Sequence, residues 1–315
     1  CSPILIGQIP MMTAVGYKAD SPYDKATEED IVQANVAIEE VVREFTMAGG
    51  YPVRKHAGNV KVDDMTVTCG TGMTSKFYDW IKDSMQYQHS RKDGAIVHTN
   101  YDFKEIVRQT FQRALITEIG LPALDATSKE TAKMTIKFAP EMCTLEYSGG
   151  TRSVQPVPLS PPKQKLWTPS NFRVRIDGLD DACRNISKVE AITIKQNVVE
   201  NTIGEKLIFD KEPAQIDFPN VILTVPESDA EKWYKWHKEF VIEGKSYSAS
   251  EKQGGIEYLS ADLQQTLVTL GLENLGIIKF TPDKAESGSE KIRSVKIEMY
   301  CEKMKFTYNN QAVYG

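Results

Sequence analysis

The sequence has few of the residues from which metal sites and thiol chemistry are usually recognised. Among 315 residues there are only four histidines and five cysteines. No CxxC pair and no Cys/His ligand spacing occurs among Cys1, Cys69, Cys143, Cys183, Cys301, His56, His89, His98 and His237. A zinc site is therefore not expected. The odd number of scattered cysteines indicates buried, reduced thiols in a protein that folds in the cytoplasm.

Motifs of catalysis are lacking as well. The stretch Cys69-Gly70-Thr71-Gly72 is too short for a phosphate-binding loop and has no lysine. No GxSxG elbow occurs, and no two carboxylates stand in a recognisable catalytic frame. Asp177, Asp180 and Asp181 flank a turn, where aspartate is favoured, and they lack the spacing of an EF-hand. We predict no catalytic residue, no cofactor site, no metal ligand and no enzymatic activity.

Long apolar runs and an excess of positive charge are also missing. The longest apolar runs, such as Pro3 to Ile6, have the length of strands, whereas a membrane helix needs about 18 apolar residues. The net charge of −5 argues against a protein that grips nucleic-acid phosphates. It suits a surface past which nucleic acid or acidic cargo slides.

Cys1 stands where an initiator methionine would be expected. A lipid-modified N-terminus and a chain whose first residues were not included are both open interpretations. We favour the second, because nothing else in the sequence indicates a membrane.

What the sequence does have is an internal repeat, which relates residues 62–147 to residues 218–308. The matching segments are Asp64-Met65-Thr66-Val67 with Asn220-Val221-Ile222-Leu223, Phe77-Tyr78-Asp79-Trp80 with Trp233-Tyr234-Lys235-Trp236, Lys92 to Ile96 with Lys252 to Ile256, Ser128-Lys129-Glu130 with Ser289-Glu290-Lys291, and Leu145-Glu146-Tyr147 with Phe306-Thr307-Tyr308. The offset drifts from 156 to 160 to 161, as loop insertions between two copies of one fold would produce. Two copies predict a protein that makes repeating contacts.

A proline-rich stretch separates the two copies. Prolines 156, 158, 161, 162 and 169 lie between Gly149 and Ser170, and prolines restrict the chain to extended conformations. We therefore predict a first domain over residues 1–148, a linker over 149–170 and a second domain over 171–315.

Each copy reads as antiparallel strands with one helix. In the second copy, the predicted strands are Asn171 to Gly178, Val189 to Val199, Val221 to Val225, Gly254 to Leu259, Leu275 to Phe280 and Ser294 to Tyr308. Ser228 and Glu231 fit a capping box for a helix that carries Trp233, Trp236 and Phe240 on one face. The aromatic residues of this helix are expected in the core.

The first copy repeats this order. Its predicted strands are Lys61 to Cys69, Gly94 to Thr99, Lys104 to Arg113 and Ala132 to Tyr147. Thr74 can cap a helix that runs to about Met85. The stretch Ala34 to Phe45 fits both helix and strand, and the repeat favours strand. The predicted fold class is mainly β, with two tandem antiparallel barrel or sandwich domains that each carry one packed α-helix.

The order of these motifs resembles the tail-tube protein family of contractile-tailed bacteriophages and related contractile injection systems. The motifs that carry the resemblance are Asn171 to Gly178, the Trp233-Tyr234-Lys235-Trp236 helix, the long final strand, Thr74 to Trp80, Arg91 to Val97, Ala132 to Leu145, and Glu44-Phe45-Thr46-Met47-Ala48-Gly49-Gly50. The resemblance implies tail-tube-like barrels that assemble into rings, and rings that stack into a tube.

Two copies in one chain modify that expectation. If a ring needs six barrels, three chains with pseudo-sixfold symmetry suffice; the alternative is a ring of six chains, with one copy in the tube and the other outside it. The resemblance implies sheath, baseplate, hub or spike proteins as partners, and DNA or protein cargo that passes through the lumen without specific binding. It also implies a virion tail or an extracellular injection particle that is assembled in the bacterial cytoplasm.

The resemblance further implies that loops between the second and third strands of each copy contact the next ring. By position these loops are residues 48–56 and 201–206. Their candidate ring-stacking residues are Gly49, Gly50, Tyr51, Arg54, Lys55, Thr202, Gly204 and Glu205. The favoured function is a structural tube or tube-end component, and the alternative is a tandem-domain adaptor or cargo-binding module without enzymatic activity.

Overall fold

In its described residues the fold consists of two mainly antiparallel sheets, a separate two-stranded hairpin and two short helices. The computed structural model describes residues 4–5, 36–42, 55–70, 73–88, 90–154, 167–201, 210–283 and 293–309, and before residue 61 it describes strand positions only. The strands are β1 Ile4–Leu5, β2 Val36–Val42, β3 Lys55–Val62, β4 Met65–Cys69, β5 Lys92–Thr99, β6 Lys104–Leu121, β7 Leu124–Asp125, β8 Met134–Ala139, β9 Met142–Ser153, β10 Phe172–Ile176, β11 Lys188–Val189, β12 Ile192–Asn201, β13 Asp210–Asp217, β14 Val221–Pro226, β15 Lys252–Leu259, β16 Thr266–Pro282 and β17 Ser294–Tyr308. The helices are α1 Ser75–Met85 and α2 Glu231–His237, and the π-helical turn Lys238–Ile242 continues α2.

The larger sheet is built around the long strand β6. Its order is β1-β5-β6-β12-β13, with β8 and β9 also paired to β6 and with β4 beyond β8. The second sheet has the order β10-β15-β16-β17-β14-β11-β7. Strands β2 and β3 pair with each other as a hairpin. All these pairings are antiparallel except the parallel pair of β1 and β5.

Strand formation follows the alternation of apolar and polar residues. In β17, Val295, Ile297 and Met299 are buried, and the residues between them face outward or lie half-buried. This period of two is what a strand with one buried face requires. In α1, by contrast, Phe77, Trp80 and Ile81 are buried at helical spacing.

The two halves share strand register as well as element order. In β5 and β6, Lys92 pairs with Ala114 and Gly94 with Phe111; in β15 and β16, Lys252 pairs with Leu275 and Gly254 with Leu272. The bulges of β6 and β16 also correspond, since register shifts fall between Ile116 and Glu118 and between Ile277 and Lys279. Residues with positive φ recur at the same places, namely Phe103 and Leu263, and Arg113 and Asn274. The offsets of 160 and 161 read from the sequence therefore describe equivalent backbone positions.

The hydrophobic core runs across both halves. Tyr78 of α1 stacks on Tyr308 of β17, with ring centroids 4.7 Å apart, and also lies against Phe306. Trp80, on the same helix, contacts Phe138 of the first half at 5.6 Å. One helix thus packs against both sheets, and most of the buried apolar residues form a single cluster.

The predicted fold class is confirmed, and several elements lie where the sequence places them. Strand β17 covers the predicted range Ser294 to Tyr308, and α1 begins after Thr74 and ends at Met85. The ambiguous stretch Ala34 to Phe45 contains strand β2. Three strands extend beyond the predicted bounds, because β6, β9 and β16 continue to Leu121, Ser153 and Pro282.

Other expectations are wrong in detail. The predicted strand Lys61 to Cys69 is divided between β3 and β4, and the predicted strand Ala132 to Tyr147 is divided at Pro140, which cannot donate a backbone hydrogen bond. The capping box at Ser228 does not form. A 3-10 turn precedes α2, so Ala230 occupies the N-cap and no side chain caps the helix.

Strand β13 was not predicted, because Pro213 interrupts its sequence pattern. It lies at the end of the larger sheet, paired only with β12 among the described strands, and proline is tolerated on such an edge. The predicted linker begins inside β9, where Gly149 and Gly150 both have positive φ. At its other end Trp167 is buried against the ring of Tyr258.

Replacement of Trp80 tests the shared core. Trp80 is fully buried, and its indole nitrogen donates a hydrogen bond to the carbonyl oxygen of Ser90 at 3.0 Å. We expect Trp80→Ala to lower the free energy of unfolding by about 3–5 kcal/mol, measured by denaturant unfolding. Tyr101→Ala, at an exposed position, is the control and should change it by no more than about 0.5 kcal/mol. Equal effects of both changes would contradict this account of the core.

Candidate assembly interface

The main structural joint of the chain is the one between its two halves, where a strand of the second half extends the sheet of the first. Strand β12 pairs with the C-terminal end of β6, with Ile192, Thr193, Ile194 and Lys195 opposite Leu121, Gly120, Ile119 and Glu118. Glu118 pairs at the same time with β8, so β12 occupies the other edge of β6. Without β12 this edge would expose unpaired backbone groups, which sheet proteins avoid or use for assembly.

Apolar side chains close the joint. Ile192 and Ile194 of β12 and Ile216 of β13 are all buried. Strands β12 and β13 pair with each other as a second hairpin. A narrow cleft between the β12–β13 hairpin, β6 and the end of α1 is lined by Met85, Ile116, Ile194, Gln196 and Ile216, among others. The β12–β13 hairpin therefore covers the end of α1 as well as the edge of β6.

A buried carboxylate ties the hairpin to the first half. The Glu141 carboxylate lies 3.3 Å from Arg91 Nε and 2.7 Å from Arg113 Nε. It also accepts a hydrogen bond from the backbone N–H of Lys211 at 3.2 Å, while the Lys211 carbonyl accepts one from Arg91 at 2.7 Å. The buried Lys211 ammonium donates to the carbonyl of Val62 at 3.0 Å. Charged groups buried here are hydrogen-bonded, as burial requires.

The second contact between the halves runs in the opposite direction, from a helix of the first half to a strand of the second. Besides the stacking of Tyr78 on Tyr308, the Tyr308 hydroxyl donates to the Asp79 carboxylate at 3.0 Å. Burial first, and this hydrogen bond second, raise the pKa of Tyr308, so the phenol stays protonated as a donor. Strand β7 of the first half also pairs with β11 in the second sheet, so each half contributes elements to the other.

The predicted ring-stacking residues fall almost wholly outside the described part of the chain. Gly49, Gly50, Tyr51 and Arg54 lie between β2 and β3, and Thr202, Gly204 and Glu205 lie between β12 and β13. Only Lys55 is placed, as the first residue of β3. These positions connect the strands of two hairpins, and their stacking role stays a prediction.

The sequence did not reveal the residues of the joint. Glu141, Arg91, Arg113 and Lys211 come from four separate segments, and although Arg91 and Glu141 lie within motifs of the resemblance, no motif indicates that these charges meet. The usable signal was the repeat itself, which marks the hairpin β12–β13 as equivalent to β2–β3.

Reactive groups do not gather in the described residues. Burial raises the pKa of Cys69 and of Cys183 to about 12 and that of Cys301 to about 11, so these thiols are protonated at neutral pH. Within the described ranges no group of His, Cys, Asp or Glu side chains is arranged to hold a metal ion. No helix in this part of the chain is long and apolar enough to cross a membrane.

Removal of the Glu141 charge tests the joint. Because Glu141→Gln loses two ion pairs and weakens the bond to Lys211, we expect a loss of about 1–3 kcal/mol in unfolding free energy. Hydrogen exchange of the β12 amides should accelerate more than that of β17. Glu146→Gln, at a half-exposed carboxylate paired with Arg152, is the matched control and should cost less than about 1 kcal/mol. An unchanged rate of hydrogen exchange in β12 would contradict the role of Glu141 in holding the β12–β13 hairpin to the first half.

One known protein family has a sequence pattern that matches part of this chain. Residues 27–144 match the family model described as T4-like virus tail tube protein gp19. No curated protein sequence is similar enough to count as a match.

Among solved structures, the cap of the anti-feeding prophage, described as its tube-terminating cap, is 17% identical, with a TM-score of 0.36 over 51% of this chain and 98% of that chain. A chain of the sheath–tube complex of an extracellular contractile injection system, PVC, is 15% identical, with a TM-score of 0.31 over 49% and 95%. Hcp1 from Flavobacterium johnsoniae is 11% identical, with a TM-score of 0.27 over 44% and 95%.

The family match spans the hairpin β2–β3, helix α1 and the strands around β6, which are the elements that build the first half and its side of the joint. Over these residues the chain is similar to the T4-like tail tube protein family.

Proposed function

We propose that this chain supplies two consecutive subunit positions in a ring of an inner tube or tube end, and that its action is mechanical. The observation that supports the proposal is the joint of β12 with β6, in which a strand of the second half extends the sheet of the first half. A protein that already joins two repeats edge to edge has the device needed to join further copies.

The proposal includes a tandem duplication with a first domain over 1–148, a linker over 149–170 and a second domain over 171–315. Its support is the repetition of register, bulges and positive-φ residues in the two halves. Because β12 and β13 pair with the first sheet, the two domains exchange elements rather than stand side by side.

A trimer with pseudo-sixfold symmetry follows if each chain fills two of six positions. The contact between the halves is heterologous, because the hairpin of one half meets a different surface on the other. Heterologous contacts generate closed rings when their rotation closes and filaments when it does not. A ring of six chains, with one domain outside the tube, is the competing arrangement.

Sheath proteins and hub, spike or baseplate proteins are the proposed partners besides the chain itself. DNA or protein cargo would pass through the lumen without a specific binding site, which agrees with a net charge of −5. We assign no enzymatic activity to the chain. Its proposed location is a virion tail or an extracellular injection particle, assembled in the bacterial cytoplasm.

The mass of the isolated ring tests the stoichiometry. We expect native mass spectrometry of assembled rings to give three chains, and electron micrographs to show six peripheral lobes per ring, since each chain fills two positions. A ring of six chains would contradict the trimer. A protein that remains a monomer and binds a soluble partner tightly would instead support the adaptor function and overturn the tube proposal.

Deletion in the first hairpin connection tests the role of the predicted stacking residues. Because Lys55 already belongs to β3, the deletion is confined to residues 49–54. We expect single rings that no longer form tubes, since the contact with the next ring is lost while the hairpin strands remain. Normal tubes in electron micrographs of the variant would refute the assignment. A matched deletion of residues 202–206 tests the second connection separately.

A further inference from the structure

The second half of the chain has an open sheet edge at the place where the first half is joined by β12. In β16, residues 266–275 pair with β15 on one edge, and residues 268–282 pair with β17 on the other. From Gly276 to Pro282, no described strand pairs with the β15 side. The equivalent segment of β6, Leu115 to Leu121, has β12 on that side over Glu118 to Leu121.

Apolar side chains around this edge are exposed, and one of them has a buried equivalent in the first half. Met85, at the end of α1, is 1% exposed, whereas Val241 at the corresponding position is 45% exposed. Ile278, the bulged residue of β16, is 41% exposed, and the neighbouring Ile242 is exposed as well. An apolar surface next to an unpaired strand edge is a docking surface for another strand.

Two exposed tyrosines also indicate a contact with a second copy of the chain. Tyr78 and Tyr308 are stacked at the joint inside the chain. Their equivalents by the offsets 156 and 161 are Tyr234 on α2, which is 49% exposed, and Tyr147 on β9, which is 51% exposed. One lies on the second half and the other on the first, so two chains are needed to bring them together as the joint inside the chain does.

The hairpin β2–β3 has the geometry to fill the open edge. In β12–β13 the register shifts after Gln196 opposite Ile216 and resumes at Val198 opposite Pro213. In β2–β3 it shifts after Ile38 opposite Val60 and resumes at Glu40 opposite Ala57. The two hairpins therefore carry the same bulge, with offsets of 158 and 156. The described strands give β2–β3 no partner sheet within the chain.

We propose that the β2–β3 hairpin of one chain pairs with Lys279 and Phe280 at the edge of β16 in a second copy, and that Tyr147 of the first chain stacks on Tyr234 of that copy. The joint between chains then reproduces the joint between the halves of one chain. This inference rests on the proposed ring function and specifies how its subunits connect. By the repeat offsets, Val36 lies opposite Phe280 and Ala37 lies opposite Lys279.

Charge at the edge favours the same arrangement. The positions of Arg91, Arg113 and Glu141 are taken in the second half by Glu251, Asn274 and Glu302, so two carboxylates replace a site with net positive charge. Tyr300 donates to Glu251 and Asn274 to Glu302, each at 2.7 Å. By the offset of 156, Lys55 is the residue of β3 that corresponds to Lys211. Opposite charges across an interface fix its register and suppress wrong pairings.

Disulfide cross-linking tests the register. Opposed residues of antiparallel strands have Cα atoms about 4.5–5.5 Å apart, within the range that a disulfide spans. We expect oxidation of the Ala37→Cys/Lys279→Cys chain to link neighbouring chains into covalent dimers and trimers on non-reducing gels. The Glu118→Cys/Lys195→Cys chain is the positive control, because these residues already face each other within one chain. Ala37→Cys/Lys305→Cys and the two single variants are negative controls.

Each outcome decides between the proposals. Rings that form without the Ala37–Lys279 cross-link, while the positive control closes, overturn this interface and leave the tube function standing. A chain that stays monomeric under all conditions overturns both. Of the native thiols, Cys183 and Cys301 are buried and Cys69 and Cys143 are partly buried, and burial raises the pKa of all four, so they are protonated at neutral pH and react slowly.

The proposed stacking of Tyr147 on Tyr234 provides an independent test of the interface. We expect Tyr147→Ala to weaken ring association at least about tenfold in sedimentation, because it removes an aromatic contact at the interface. Tyr101→Ala, another exposed tyrosine of the first half, should leave association unchanged. Equal association of the two variants, each with an unchanged unfolding midpoint, would overturn the stacking of Tyr147 on Tyr234.

Discussion

The rest of the structure depends on the need of the long strands β6 and β16 to have both edges paired. Each strand is longer than its hairpin partner β5 or β15, so part of one edge extends beyond it. Unpaired backbone groups next to apolar side chains are costly in water and readily bind another strand. In β6 the second half of the chain supplies that strand through β12. The two halves are consequently interlocked, and one hydrophobic cluster runs through both of them.

The interlocking explains where charge and aromatic residues are found. Glu141, Arg91 and Arg113 meet at the point where β13 reaches the first half, and backbone groups of Lys211 complete their hydrogen bonds. Tyr78 and Tyr308 meet where α1 lies on the second sheet. These contacts are directional, whereas the apolar core is not, so they fix the orientation in which the halves join. A duplicated protein needs such control, because its two halves offer similar surfaces to each other.

The two halves carry different residues at equivalent positions of the joint. Met85 and Tyr78 are buried at the joint inside the chain, whereas their equivalents Val241 and Tyr234 are exposed, and the charges around Glu141 are replaced by carboxylates around Glu302. In the proposed ring, identical joints would allow a hairpin to pair with either edge. Different charges would make the joint between chains distinguishable from the joint inside the chain, which specificity between similar surfaces requires.

The sequence by itself determined the fold class, the helices and the repeat, because apolar periodicity and aromatic spacing are local properties. The offsets of 156, 160 and 161 were readable from residues alone and proved to be equivalences of strand register. Only the tertiary structure decided which sheet β12 and β13 join, since strand pairing depends on contacts between residues distant in sequence. For the same reason the sequence did not indicate the roles of Glu141 and Lys211 or the open edge of β16. Whether a charged residue bridges two segments, and whether a strand edge is left unpaired, depends on which strands lie next to it in the folded chain.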